Sequence, residues 1–161
     1  MFRTRQFIVV DLVADTEQSD FILTASDTES VHGDGNYGEI RVYEPGLMIC
    51  FFLAPMDPLK KSLTWEIMVG SASGYIFVLD ALRPETFADI TSSFQELHAM
   101  VIAPTIVLVS GTNGAPNTFK AIRQALKLPA DIDLFPYIPF DRPLARQAVD
   151  ALMAKVRATD I

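Results

Sequence analysis

A chain of 161 residues, half of them hydrophobic, has the length of roughly one domain of 100–200 residues, and its composition excludes disorder in favour of a single well-buried core. Lys and Arg number 13 and Asp and Glu 20, so the formal charge is −7, which argues against a general binder of nucleic acid or of anionic membranes, both polyanions. Cys50 is the only cysteine, which excludes an internal disulfide and a cysteine-based zinc site; with His32 and His98 as the only histidines, a metal centre would need carboxylates that no spacing marks.

Along the chain, compact apolar runs alternate with segments of helical period. The first run, Phe7 to Val10, follows Met1 to Arg5 and is interrupted by Asp11, which makes a poor signal peptide; no stretch approaches the roughly 20 apolar residues of a membrane span, so a cytoplasmic protein is expected. A helix is expected over Thr16 to Ala25, and the Ser-, Asp- and Gly-rich segment Ser26 to Asn36 reads as a long loop. Gly38 to Tyr43 alternates polar and apolar residues and meets Leu47 to Leu53 across the turn Glu44-Pro45-Gly46, a hairpin whose first arm would be an antiparallel edge strand. A weaker helix covers Leu59 to Val69. Tyr75 to Leu79 is the next continuous run, and after Pro84 the residues Phe87, Ile90, Phe94, Leu97 and Val101 form one apolar stripe at spacings of three and four. Thr105 to Val109 is a further strand. Phe119, Ile122 and Leu126 mark a helix starting near Pro116 and stopped by Pro129. After one more strand, Asp141 is placed to cap the last helix, with Pro143 in its first turn and Leu144, Ala148, Leu152 and Val156 on its apolar face.

Runs without polar alternation imply strands covered on both faces. The expected architecture is therefore a single α/β domain over 1–161: three layers, doubly wound, with a mostly parallel six-stranded sheet and one antiparallel edge strand. Ligands of such sheets bind beyond the carboxyl ends of the strands.

The segment Gly74-Tyr75-Ile76-Phe77-Val78-Leu79-Asp80, followed by Arg83-Pro84-Glu85-Thr86-Phe87, resembles the fourth strand and third helix of a Ras-like small GTPase, most of all the bacterial gliding-motility (MglA) branch. Thr105 to Val109, Leu128-Pro129 and Asp141-Arg142 continue the likeness. The resemblance implies a Ras-like fold, and it also says where nucleotide chemistry would sit. A phosphate loop G-x-x-x-x-G-K-S/T uses glycines to admit phosphates to backbone amides, a lysine to neutralise them and a hydroxyl to hold Mg²⁺. The register after the first strand puts Leu12, Glu17, Gln18 and Ser19 at those positions, and only Ser19 is kept, a residue that equally reads as a plain helix start. Glu17 and Asp15 add negative charge where a triphosphate would lie, and like unit charges about 4 Å apart repel by roughly 4 kcal/mol at an effective dielectric of 20.

At the D-x-x-G position stand Ala54-Pro55-Met56-Asp57, with Ala54 for the acid and Asp57 for the glycine; Asp57 is expected to cap the following helix. The base-recognition loop becomes Ser110-Gly111-Thr112-Asn113, in which Asn113 reads as part of a turn, and the last nucleotide loop becomes the apolar Ile138-Pro139-Phe140. Thr24, Thr28 and Ser30 lie near the first switch with no pattern to single one out. The resemblance thus implies a pseudo-GTPase with no bound cofactor that works through protein contacts. The alternative is an atypical GTPase or ATPase that binds GTP or GDP with Mg²⁺ through Ser19, Asp57 and Asn113. The partners implied are a roadblock-domain protein or another Ras-like subunit, and a homodimer is compatible with the same surfaces. Contact candidates are Met56, Pro58, Leu59, Leu63 and Trp65, together with the Gly38 to Tyr43 edge, since open strands are templates for pairing. Core packing accounts for Phe51, Phe52 and Tyr75. No G-x-S-x-G marks a hydrolase nucleophile, and a phosphoacceptor domain would need an acidic cluster beside Asp11 and a lysine after Val109. His98 is expected to be a surface or partly buried residue.

Overall fold

A computed structural model describes residues 3–13, 19–32, 35–56 and 58–160, with residues 58–63 described by their backbone alone. Among these, six strands form one sheet in the order β2-β3-β1-β4-β5-β6: β1 (Arg3–Asp11), β2 (Tyr37–Glu44), β3 (Leu47–Leu53), β4 (Gly74–Asp80), β5 (Thr105–Ser110) and β6 (Asp133–Pro136). All neighbours are parallel except β2 and β3, the expected hairpin at one edge. Five α-helices accompany it: α1 (Asp20–Ala25), α2 (Pro58–Val69), α3 (Phe87–Met100), α4 (Pro116–Leu126) and α5 (Arg142–Thr159).

Side chains alternate across a strand, so consecutive residues of β1 enter different cores. Phe7 and Val9 pack with Phe21 and Ile22 of α1 and Val149 and Leu152 of α5. Ile8 and Val10 pack instead with Val69 of α2, Ile90 and Leu97 of α3 and Ile122 of α4. Both faces being covered, no polar alternation was available to these strands, which is why they read as continuous apolar runs. Helix ends follow local rules as well. The Asp141 carboxylate accepts the Leu144 N–H at 3.0 Å at the start of α5, and α4 ends on Lys127 in the left-handed region. The stripe after Pro84 begins as a short 3₁₀ turn, Pro84–Thr86, before α3 proper.

The expectation of an open edge at Gly38 to Tyr43 is corrected by the segment 27–32. On the outer side of β2, Tyr37 O accepts the His32 N–H (3.0 Å), Glu39 O accepts the Asp27 N–H (2.7 Å), Glu39 N donates to Ser30 Oγ (2.9 Å) and Arg41 N donates to Asp27 Oδ2 (2.9 Å). Tyr37 O, both backbone groups of Glu39 and Arg41 N are thus occupied within the chain, and a foreign strand would have to displace these bonds. Asp27 is the hub, its Oδ1 also meeting Arg146 of α5 at 3.3 Å. Asp27→Ala is expected to cost the edge about 1–2 kcal/mol locally, which corresponds to about 5- to 30-fold faster hydrogen exchange at the Arg41 amide. Unchanged protection at Arg41 would show that this strap does not hold the edge.

Candidate functional site

The carboxyl ends of β1, β3, β4, β5 and β6 converge on one rim, where ligands of such sheets bind. At its centre β1 ends on Asp11, only 7% exposed. Its Oδ1 accepts the Val13 N–H at 3.0 Å, and its Oδ2 accepts the Ser19 hydroxyl at 2.8 Å. Ser19, fully buried, caps α1 by accepting the Ile22 N–H on the same oxygen at 3.1 Å. Burial pushes the Asp11 carboxyl up to about 6, against the two hydrogen bonds that favour its charged form; Asp20 nearby adds to the rise. A carboxyl that titrates near pH 6 beside a hydroxyl has the composition of an acid–nucleophile pair, but Ser19 has no exposed surface from which to attack.

Tyr137, directly after β6, closes the same space. Its hydroxyl and Thr24 Oγ1 are buried and interact with each other, though neither forms a hydrogen bond of good geometry among the described residues. Burial first, then the charges of Asp11 and Asp20, raise the phenol above its ordinary range. Sequence reasoning missed Tyr137, left Thr24 unassigned near the first switch, and gave Asp11 no role beyond ending a strand that a phosphoacceptor domain would need; the available signal was an acid closing a strand eight residues before a helix-starting serine.

The other expected positions separate. Leu12 donates its N–H to Val78 O at 3.0 Å and packs against the α2–α4 core. Ala54, 2% exposed, donates its N–H to Val9 O at 2.8 Å, an extension of sheet pairing and no metal ligand. Ser110 Oγ donates to Leu79 O at 3.3 Å. Asn113 Oδ1 accepts the Ala115 N–H at 3.1 Å, the local turn expected before α4. Gly111, at φ 74°, lies so close to Asp80 that a Cβ there would sit 2.5 Å from Asp80 Oδ1, so only glycine fits. Glu17, Gln18, Asp15 and Asp57 lie outside the described residues. Pro58, Leu59 and Leu63 belong to the part of α2 described by backbone alone. Among the described residues no three His, Cys, Asp or Glu side chains gather as a metal site would require.

No protein-family model matches this chain, and none of the curated proteins matches it significantly. The local geometry therefore carries the functional reading.

Two contact candidates take definite positions. Met56 is half-buried against the α2–α4 core, its Sδ 4.0 Å from Ser93 Oγ. Trp65, expected as a surface anchor, is 1% exposed and donates its indole N–H to Pro55 O at 2.9 Å. Its burial removes it from the contact surface and makes it the clasp between α2 and the loop after β3. The exposed apolar side chains of this rim are others: Leu82 after β4 and Ile138 and Phe140 after β6, with Phe140 70% exposed and held at φ 65°. A bulky residue in the left-handed region is uncommon and accompanies functional loops more often than chance.

Proposed function

We propose that this chain is a small-GTPase-like domain without nucleotide chemistry, acting as a protein-interaction or regulatory subunit. The observation that carries the reading is the inward turn of the Ser19 hydroxyl onto Asp11. In a working phosphate loop that hydroxyl would hold Mg²⁺; here its proton goes to a buried carboxylate and one lone pair to Ile22 N–H. Asp11 and Asp20 bring negative charge to the start of α1 and Ser19 is buried at its cap, which supports a site without a triphosphate and Mg²⁺. The strand order β2-β3-β1-β4-β5-β6, with its single antiparallel edge pair, supports a Ras-like layout. Leu82, Ile138 and Phe140 supply apolar surface on the rim for a partner, which on this reading is a roadblock-domain protein or a second Ras-like domain.

Calorimetric titration with GTP, GDP and ATP in the presence of Mg²⁺ tests this reading. No binding is expected at nucleotide concentrations up to about 1 mM, the range in which even weak sites of about −4 kcal/mol register. Submillimolar binding of any of the three would overturn it and favour an atypical nucleotide-binding enzyme.

A further inference from the structure

A cavity of about 460 Å³ lies at the opposite, amino end of the sheet, where the end of α3, the segment before β5, the turn between α4 and β6 and the last turns of α5 meet. Its size falls in the range of about 300–1,000 Å³ usual for small-molecule sites. Phe94, Ile102, Pro129 and Ile132 give it apolar walls. Ile102 is 85% exposed, a large aliphatic side chain left in water at the cavity's margin.

The polar groups are few, and their hydrogen bonds fix their roles. His98 Nε2 lies 2.9 Å from Thr105 Oγ1, and the Thr105 hydroxyl lies 3.1 Å from Ala103 O. The single hydroxyl proton satisfies both contacts only if it goes to Ala103 O while Nε2–H donates to Thr105. Burial lowers the pKa of His98, so the ring is neutral at pH 7 and Nδ1 is left as an acceptor. The imidazole stacks on Phe94 with centroids 4.3 Å apart. Beside it stands Asp131, whose negative charge acts on the imidazole. Lys155, the cation of this cavity, is already held by Asp133 Oδ2 at 3.3 Å and by the backbone carbonyl of Asp131. Among the described residues no cation pairs with the Asp131 carboxylate itself. Apolar walls, an aromatic stack, a carboxylate without a direct ion pair and a ring acceptor together suit a ligand that brings positive charge on a hydrocarbon body.

We propose that this cavity binds a small organic cation, an aryl- or alkylammonium, with its ammonium directed at Asp131 and its hydrocarbon body against Phe94 and Ile102. An organic anion is disfavoured, because the lysine that would receive it is occupied by Asp133. This site and its test are independent of the nucleotide reading above.

The test is a titration of the intact chain with phenethylammonium, phenethyl alcohol and phenylacetate, followed by NMR at the His98 ring and the Ile102 methyls. Saturation by phenethylammonium is expected with a Kd of about 0.1–1 mM, with the alcohol and the acid at least about tenfold weaker. Asp131→Asn keeps the backbone carbonyl that Lys155 uses and changes only an exposed side chain, so the fold is retained. It should weaken the ammonium about tenfold and leave the alcohol unchanged. Equal affinity for all three ligands, no saturation below about 10 mM, an unaffected Asp131→Asn variant, or shifts confined to other parts of the molecule would each overturn the proposal.

Discussion

Replacing Trp65 with alanine is expected to lower the unfolding free energy by about 3–5 kcal/mol, the usual cost of deleting a large buried aromatic. The side chain is 1% exposed, packs among Ile8, Val10 and Ala54 in the α2–α4 core, and its indole N–H satisfies the Pro55 carbonyl. Truncation would open a cavity and orphan that carbonyl together. Denaturant unfolding measures the loss. If alanine leaves too little folded protein, Trp65→Phe keeps most of the volume and removes only the hydrogen bond and part of the ring, with an expected cost of about 1–3 kcal/mol. A change below about 0.5 kcal/mol for either variant, the value typical of surface sites, would return Trp65 to the exterior.

The second large effect is a pH dependence centred on Asp11. Its folded-state pKa of about 6 stands above the ordinary 3.8. In that interval the native state holds the proton that the unfolded state has released, so stability falls as pH rises through it. The charged form is therefore a penalty, fully present above pH 6 and relieved in acid. The shift of 6 − 3.8, about two units, amounts to roughly 3 kcal/mol. Asp11→Asn, which cannot ionise, should be favoured over the parent at pH 8, and that advantage should shrink by about 2–3 kcal/mol on going to pH 3.5. Urea unfolding of both proteins across this range supplies the comparison, and a difference independent of pH would mean that Asp11 is not desolvated.

Much of the frame was legible because it is written in short-range chemistry. Phe7 to Val10 and Tyr75 to Leu79 announce strands buried on both faces, Asp141 announces a cap, and Asn113 between glycines announces a turn; each is settled by its immediate neighbours. Trp65 was not legible. In α2, apolar residues fall on more than one face, and Ile67, two positions on, is 80% exposed, so periodicity could not say whether Trp65 faced inward. Nor could the covering of β2 be foreseen. That depends on Asp27, Ser30 and His32 meeting Glu39, Arg41 and Tyr37 across the chain, in a segment whose composition says only that it is a loop. The Asp11–Ser19 pair lies between these cases: both residues were visible, but whether the serine pointed to a ligand or to the acid was a question of side-chain direction.

The strap across β2 also bears on self-association. Ile49 to Leu53 in β3 is an uncharged apolar run with high strand propensity, the kind of segment that aggregates when exposed, and it sits one strand in from the edge. With Tyr37 O, Glu39 N and O and Arg41 N of the flanking strand already held by residues 27–32, crowding folded molecules together gives a foreign strand a poor template at this edge. Precipitation should then follow the fraction of molecules that have unfolded, so that heating or denaturant governs loss from solution more than concentration does.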